Sequence, residues 1–156
     1  MSSTSARYFN PLRIAAYVLV LYFLGHTWGA LLSTPAFGTA GDAVLSAMKS
    51  VRFACDGSNC TWFGFYLGFG WFVSIFFLLS AAVAWFLGGL DARDQRVVTP
   101  IAWMLFLAHA AGMILAWRYF FLTPLIFSTV TAALLGFHCV RAMRASEPRT
   151  AAQASL

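Results

Sequence analysis

The stretch from Trp62 to Leu87, WFGFYLGFGWFVSIFFLLSAAVAWFL, runs for 26 residues without one Asp, Glu, Lys or Arg. A helix rises 1.5 Å per residue, so about 20 apolar residues cross the ~30 Å hydrocarbon core of a bilayer. This segment therefore reads as a membrane-spanning helix. Three further apolar runs pass the same test, at about Pro11–Leu32, Val98–Phe121 and Pro124–Met143. The chain as a whole agrees: 61% of its residues are hydrophobic and 10% are charged, against roughly 45–50% and about 25% in soluble domains. Too few polar side chains are present to cover such a core in water. The expected architecture is all-α, an integral membrane bundle of four helices forming one domain over residues 1–144.

The connections differ in kind. Between the first two spans lies a long segment, Ser33–Thr61, and within it Gly41–Phe53 places Val44, Leu45, Met48, Val51 and Arg52 at helical spacing. It reads as a short interfacial helix on the membrane surface. Gly88–Arg96 is a short charged turn, and Leu122-Thr123-Pro124 reads as a tight hairpin in which proline starts the last helix. Residues 145–156 are polar and rich in small side chains, and are expected to be a disordered tail.

Cationic residues set the orientation. Arg7, Arg13, Arg93, Arg96, Arg141, Arg144 and Arg149 fall on one side, against Lys49, Arg52 and Arg118 on the other. The richer side faces the cytoplasm. A multi-pass protein of the cell (inner) membrane with both termini cytoplasmic follows, and Ser33–Thr61 becomes the first extracytoplasmic loop. The first run lacks a clear cleavage site, so it is expected to be retained as a helix. The net charge of +5 then reads as topology and lipid contact, and nucleic acid is not an expected partner, because no basic aromatic module is present.

Small residues recur at four-residue spacing: Gly25 and Gly29, Gly64 and Gly68, then Ala108, Gly112 and Ala116, and finally Ser128, Ala132 and Gly136. Lipid gives helices no hydrophobic reason to associate, so such stripes permit close backbone approach. They read first as bundle packing, with Gly64 and Gly68 as a possible homodimer face.

The carboxylates exclude some chemistry. Asp42, Asp56, Asp91, Asp94 and Glu147 all fall outside the four spans, so an intramembrane carboxylate relay has no residues to use. The ionisable residues in or near the spans are His26, His109, Arg118 and His138. From the helix rise, His26 sits about 7 Å outside the midplane, His109 near it and His138 about 7 Å inside. Bis-histidine haem ligation needs two imidazoles at one depth. His26 with His109 is the nearest pair, about 6 Å apart in depth. No cofactor is expected, haem and quinone being the remote options, and no metal site is read.

A ligand site is expected in the outer half, where His26, Tyr66 and Arg118 could converge beneath Lys49 and Arg52, with His109 deeper. Glycines leave room there and no acid neutralises the cations. A lipid-like or quinone-like ligand would suit it. The plainer reading has Arg118 snorkelling and Lys49 and Arg52 holding lipid phosphates. Cys55 and Cys60 frame four residues in the outer loop and read as a structural disulfide, as free thiols or, last, as a redox pair, while Cys139 reads as a small buried hydrophobe.

Gly25-His26-Thr27-Trp28-Gly29, Met48-Lys49-Ser50-Val51-Arg52-Phe53 and Phe65-Tyr66-Leu67-Gly68-Phe69-Gly70 resemble blocks of a loose group of small bacterial four-span proteins, over most of the chain up to Arg141. That resemblance implies a four-helix fold and supplies no activity. Size and topology are also similar to the DoxX-like membrane proteins, at the level of fold alone. The leading expectation is a non-enzymatic four-helix membrane protein that binds a lipid-like ligand or a partner through its outer half. The alternatives are a small redox or isomerase enzyme using His26 and Tyr66, and a passive subunit of a membrane complex.

Overall fold

The computed structural model describes residues 10–33 and 36–146. In chain order the elements are α1 (Pro11–His26, continued by a π-helical stretch Thr27–Leu32), α2 (Gly38–Ser50), β1 (Phe53–Cys55), β2 (Ser58–Cys60), α3 (Trp62–Leu87), a 3-10 turn (Ala92–Asp94), α4 (Gln95–Tyr119) and α5 (Leu122–Ser146). Four of these stretches are long and apolar enough to cross a membrane: Pro11–Leu32, Trp62–Leu87, Gln95–Tyr119 and Leu122–Ala145. The expected tail falls almost wholly outside the described residues, and α5 runs through its first positions.

The chain divides into two compact units, one of residues 1–20 with 79–156, the other of residues 21–78. In the first, the start of α1 is capped by side-chain and backbone oxygens of one residue. Asn10 caps α1: its Oδ1 accepts from the Leu12 and Arg13 amides at 3.1 and 3.3 Å, and its carbonyl from Ile14 at 3.0 Å. Pro11 follows at the first helical position, where a missing N–H costs nothing. The core of this unit is Leu12, Ala15, Leu87, Val98, Ala102, Leu135 and Cys139. Helices α4 and α5 form an antiparallel hairpin whose close approach is clearest at Gly136. A Cβ there would lie 2.9 Å from Cε2 of Phe106.

Several expected boundaries move. Helix α4 begins at Gln95 rather than Val98, with Pro100 in its second turn, and stops at Tyr119. The hairpin falls at Phe120 and Phe121 instead of Leu122-Thr123-Pro124, because α5 already starts at Leu122. Pro124 is its third residue, in the first turn, where amides have no intrahelical acceptor. The buried face of α4 is Val98, Ala102, His109 and Ala116. Only Ala116 of the stripe read from the sequence lies on it.

In the second unit, α2 begins earlier and ends earlier than the expected Gly41–Phe53. Gly38 takes a φ of 74° at its start, and Asp42 Oδ1 accepts from the Phe37 amide at 3.0 Å. A Cβ at Gly41 would collide with that of Phe37. The helix ends because Phe53–Cys55 pairs with Ser58–Cys60, in the antiparallel register Phe53↔Cys60, Ala54↔Asn59, Cys55↔Ser58. Asp56 and Gly57 form the turn, both at positive φ (45° and 80°). That is the type I′ geometry which Asp-Gly favours in two-residue hairpins. Thr61 Oγ1 accepts from Gly64 N at 3.0 Å and caps α3.

Beside the apolar core a few polar side chains are buried, and many large apolar side chains are exposed. Ser74, Ser80, His109, Ser128 and Thr131 are buried, whereas Phe72, Phe121 and Trp117 are 70–73% exposed.

Candidate functional site

The end of the first spanning stretch creates the site. The carbonyls of the last helical turn have no amide donor within the helix. Other groups satisfy the last carbonyls. Ser33 N donates to Trp28 O at 2.8 Å, Ser33 Oγ to Gly29 O at 2.7 Å, and the Tyr66 hydroxyl to Ala30 O at 2.7 Å. Tyr66 therefore ties the π-helical end to α3.

Beside this junction α2 folds over an apolar trough of about 440 Å³. Its walls are Gly29, Ala30, Leu31 and Ser33 from the π-helical stretch, and Phe63 and Tyr66 from α3. From the segment bearing α2 come Phe37, Gly41, Val44, Leu45, Met48 and Lys49. That spacing, every third or fourth residue, is one face of a helix. Lys49 is the charged residue among these, and its Nζ lies 4.8 Å from the centroid of the Phe63 ring. The ring's negative face holds the ammonium at the trough wall. Phe63 stacks on Tyr66 at 5.9 Å. The trough can hold an apolar chain and present one cation to whatever polar group ends it.

The hairpin stands at the head of α3. Cys55 and Cys60 are joined by a disulfide, with Cα atoms 6.0 Å apart. Phe53 packs on Trp62 at 5.1 Å and on Phe65 at 6.1 Å.

The residues singled out from the sequence separate into groups. Lys49 and Tyr66 line the trough together. Arg52 follows the end of α2 and is not among the lining residues. His26 is half-buried elsewhere in the same unit, its Nδ1 3.1 Å from Ser74 Oγ, which also bonds Thr27 Oγ1 at 2.9 Å. Ser74 is eight residues beyond Tyr66 on α3, about 12 Å along the axis. His26 and Phe77 meet edge to face at 5.8 Å, and Tyr22 stacks on Phe77 at 4.0 Å. His109 and Arg118 stand on α4, in the other unit, with the Arg118 guanidinium 5.5 Å from the Tyr119 ring. Gly64 and Gly68 are exposed, and a Cβ at Gly68 would meet nothing within 4 Å.

Sequence reasoning missed Ser74, Phe37, Gly41 and Phe63. Phe37, Gly41, Val44, Leu45, Met48 and Lys49 carry a legible helical period, once the helix is allowed to start before Gly41. Ser74 offers no pattern, since a lone serine in an apolar helix is common. Among the described residues no group of three or more His, Cys, Asp or Glu is placed to hold a metal ion.

Compared with protein-family models, with curated proteins and with solved structures, the chain matches none of them.

Proposed function

We propose that this chain is a multi-pass protein of the cell inner membrane that binds an amphiphile, lipid-like or quinone-like, in the trough beneath α2. Helix α2 lies along the outer surface as an interfacial helix, and both ends of the chain are cytoplasmic. The cationic bias supports this orientation: Arg13, Arg93, Arg96, Arg141 and Arg144 lie on the inner side, Lys49, Arg52 and Arg118 on the outer. Arg7 and Arg149, which add to the bias, are outside the described residues.

The observation that carries the binding reading is the trough itself. Its volume of about 440 Å³ falls in the roughly 300–1,000 Å³ range of small-molecule sites. Its walls are mainly apolar and one ammonium stands beside them. An acyl or isoprenoid chain fills such a space, and its phosphate, carboxylate or carbonyl end meets Lys49 Nζ. No acid–base pair is required, and His26 acts as a packing and hydrogen-bonding residue through Ser74. Gly64 and Gly68 form the face for a second copy of the chain.

Mass spectrometry of the protein released from mild detergent tests the proposal. Wild type retains one amphiphile per chain. Met48→Trp fills the trough and abolishes retention, and Lys49→Ala weakens it for anionic species. Equal retention by all three proteins removes the trough as the site.

A further inference from the structure

A second cavity, of about 720 Å³, lies in the other unit, where the ends of α1, α3 and α5 meet the Gly88–Gln95 connection. Its character is opposite to that of the trough. Arg13 and Arg141 line it from α1 and α5, with His138 beside them, Asp91 on the connecting segment and Gln95 at the start of α4. On α5 the lining residues His138, Arg141, Ala142 and Ala145 fall on one helical face, and the Arg141 guanidinium lies 5.8 Å from the Phe137 ring centroid.

The cavity is built rather than incidental. The Gly88 carbonyl accepts from Asn10 Nδ2 at 2.7 Å and from Arg13 Nε at 3.2 Å, which fixes the plane of the Arg13 guanidinium. That guanidinium also lies 4.8 Å from the Trp85 ring centroid. Gly88 is a true requirement here: a Cβ on it would approach Arg13 Cγ to 2.8 Å and the Ala84 carbonyl to 3.2 Å. His138 Nε2 is buried and has no hydrogen-bond partner among the described residues. A buried polar nitrogen without a partner is uncommon, and this one sits in a ring that borders the cavity.

We infer that this cavity binds the phosphate of a hydroxyl-bearing anionic ligand, with Arg13 and Arg141 clamping the phosphate oxygens. Guanidinium groups match phosphate geometry through paired N–H donors. The single carboxylate, Asp91, does not cancel two guanidiniums. Together with Gln95 it offers acceptors to ligand hydroxyls, which favours a glycerol-type headgroup over choline. Asn10 is not available for this, because its side chain is committed to the α1 cap and to Gly88. The site is separate from the trough and does not depend on the reading of α2. The phosphate can come from a membrane phospholipid or from a soluble phosphate ester.

The test uses full-length protein in nanodiscs containing phosphatidylglycerol or phosphatidylcholine, followed by mass spectrometry of retained lipid, with and without soluble glycerol 3-phosphate. Wild type retains phosphatidylglycerol in preference to phosphatidylcholine, and Arg141→Gln reduces that preference about tenfold, as loss of one charge-assisted contact would. Arg13→Gln has the same effect. Should it fail to fold, because Arg13 also packs on Gly88 and Trp85, the exposed Arg141 decides alone. Competition by glycerol 3-phosphate assigns the site to a soluble ester, and absence of competition with phosphatidylglycerol retained assigns it to lipid; either supports a phosphate site. Equal retention of the two lipids, or an Arg141→Gln protein indistinguishable from wild type, overturns it.

Discussion

Replacing Ser74 by alanine removes one oxygen that serves two helical residues. Ser74 is 1% exposed, and its hydroxyl lies 3.1 Å from His26 Nδ1 and 2.9 Å from Thr27 Oγ1. Alanine fills nearly the same volume, so the change in packing is slight and the polar term dominates. Hydrogen bonds between membrane helices average about 0.6 kcal/mol each, with a maximum near 1.7. Two of them give about 1.2 kcal/mol. Leaving a buried partner unsatisfied adds to this, although His26 is only half-buried and recovers part of its hydration, so the total is about 1–2 kcal/mol. For a chain of this length each kcal/mol corresponds to roughly 2–4 °C, which puts the drop in melting temperature at about 2–8 °C. Tryptophan-fluorescence melts in mild detergent measure it. Ser74→Thr, which keeps a hydroxyl, restores most of the loss. Amphiphile retention is unchanged in Ser74→Ala, because neither His26 nor Ser74 lines the trough. An unaltered melt, or lost retention with an unaltered melt, would refute the assignment of His26 to packing.

Other substitutions probe the remaining features. Gly136→Leu drives a side chain into Phe106 and costs about 1–3 kcal/mol of stability, whereas Gly112→Leu, with nothing within 4 Å of its Cβ position, melts as wild type does. Tyr66→Phe leaves the Ala30 carbonyl without its donor and lowers stability by about 1 kcal/mol; hydrogen exchange rises at Leu31 and Leu32. Gly57→Ala forces a side chain into the left-handed region and costs about 1–2 kcal/mol, read from the same melts. In denaturant, maleimide labels one thiol per chain before reduction and all three cysteines after it, since Cys55 and Cys60 are paired and Cys139 is free.

The four long helices were legible because their signal is collective. Twenty or so apolar residues leave no alternative solvent, and no single position has to be read correctly. The helix ends were less legible. Pro124 suggested a start at itself, but the first turn of a helix tolerates proline at several positions. Asp56-Gly57 carries a two-residue hairpin signal in plain chemical terms. Lys49 and Tyr66 were found as a cation and a phenol near one surface. Their partners Phe63 and Phe37 were hidden among 16 phenylalanines, where no aromatic stands out. Ser74 and the carbonyl of Gly88 act through hydrogen bonds made across the fold, and such bonds leave no spacing in the sequence. Composition likewise said nothing about Arg13 and Arg141 lining one cavity, because they are far apart in the chain and each alone reads as a topology signal.

In the proposed arrangement the chain crosses a bilayer four times with α2 outside. Single cysteines at Ser46 on α2 and at Gln95 at the start of α4, in a Cys139→Ser background, test it in intact cells with a membrane-impermeant maleimide. Ser46→Cys is predicted to react at once, and Gln95→Cys only after the membrane is permeabilised. Labelling of Gln95→Cys in intact cells, or recovery of the protein in the soluble fraction without detergent, would contradict it.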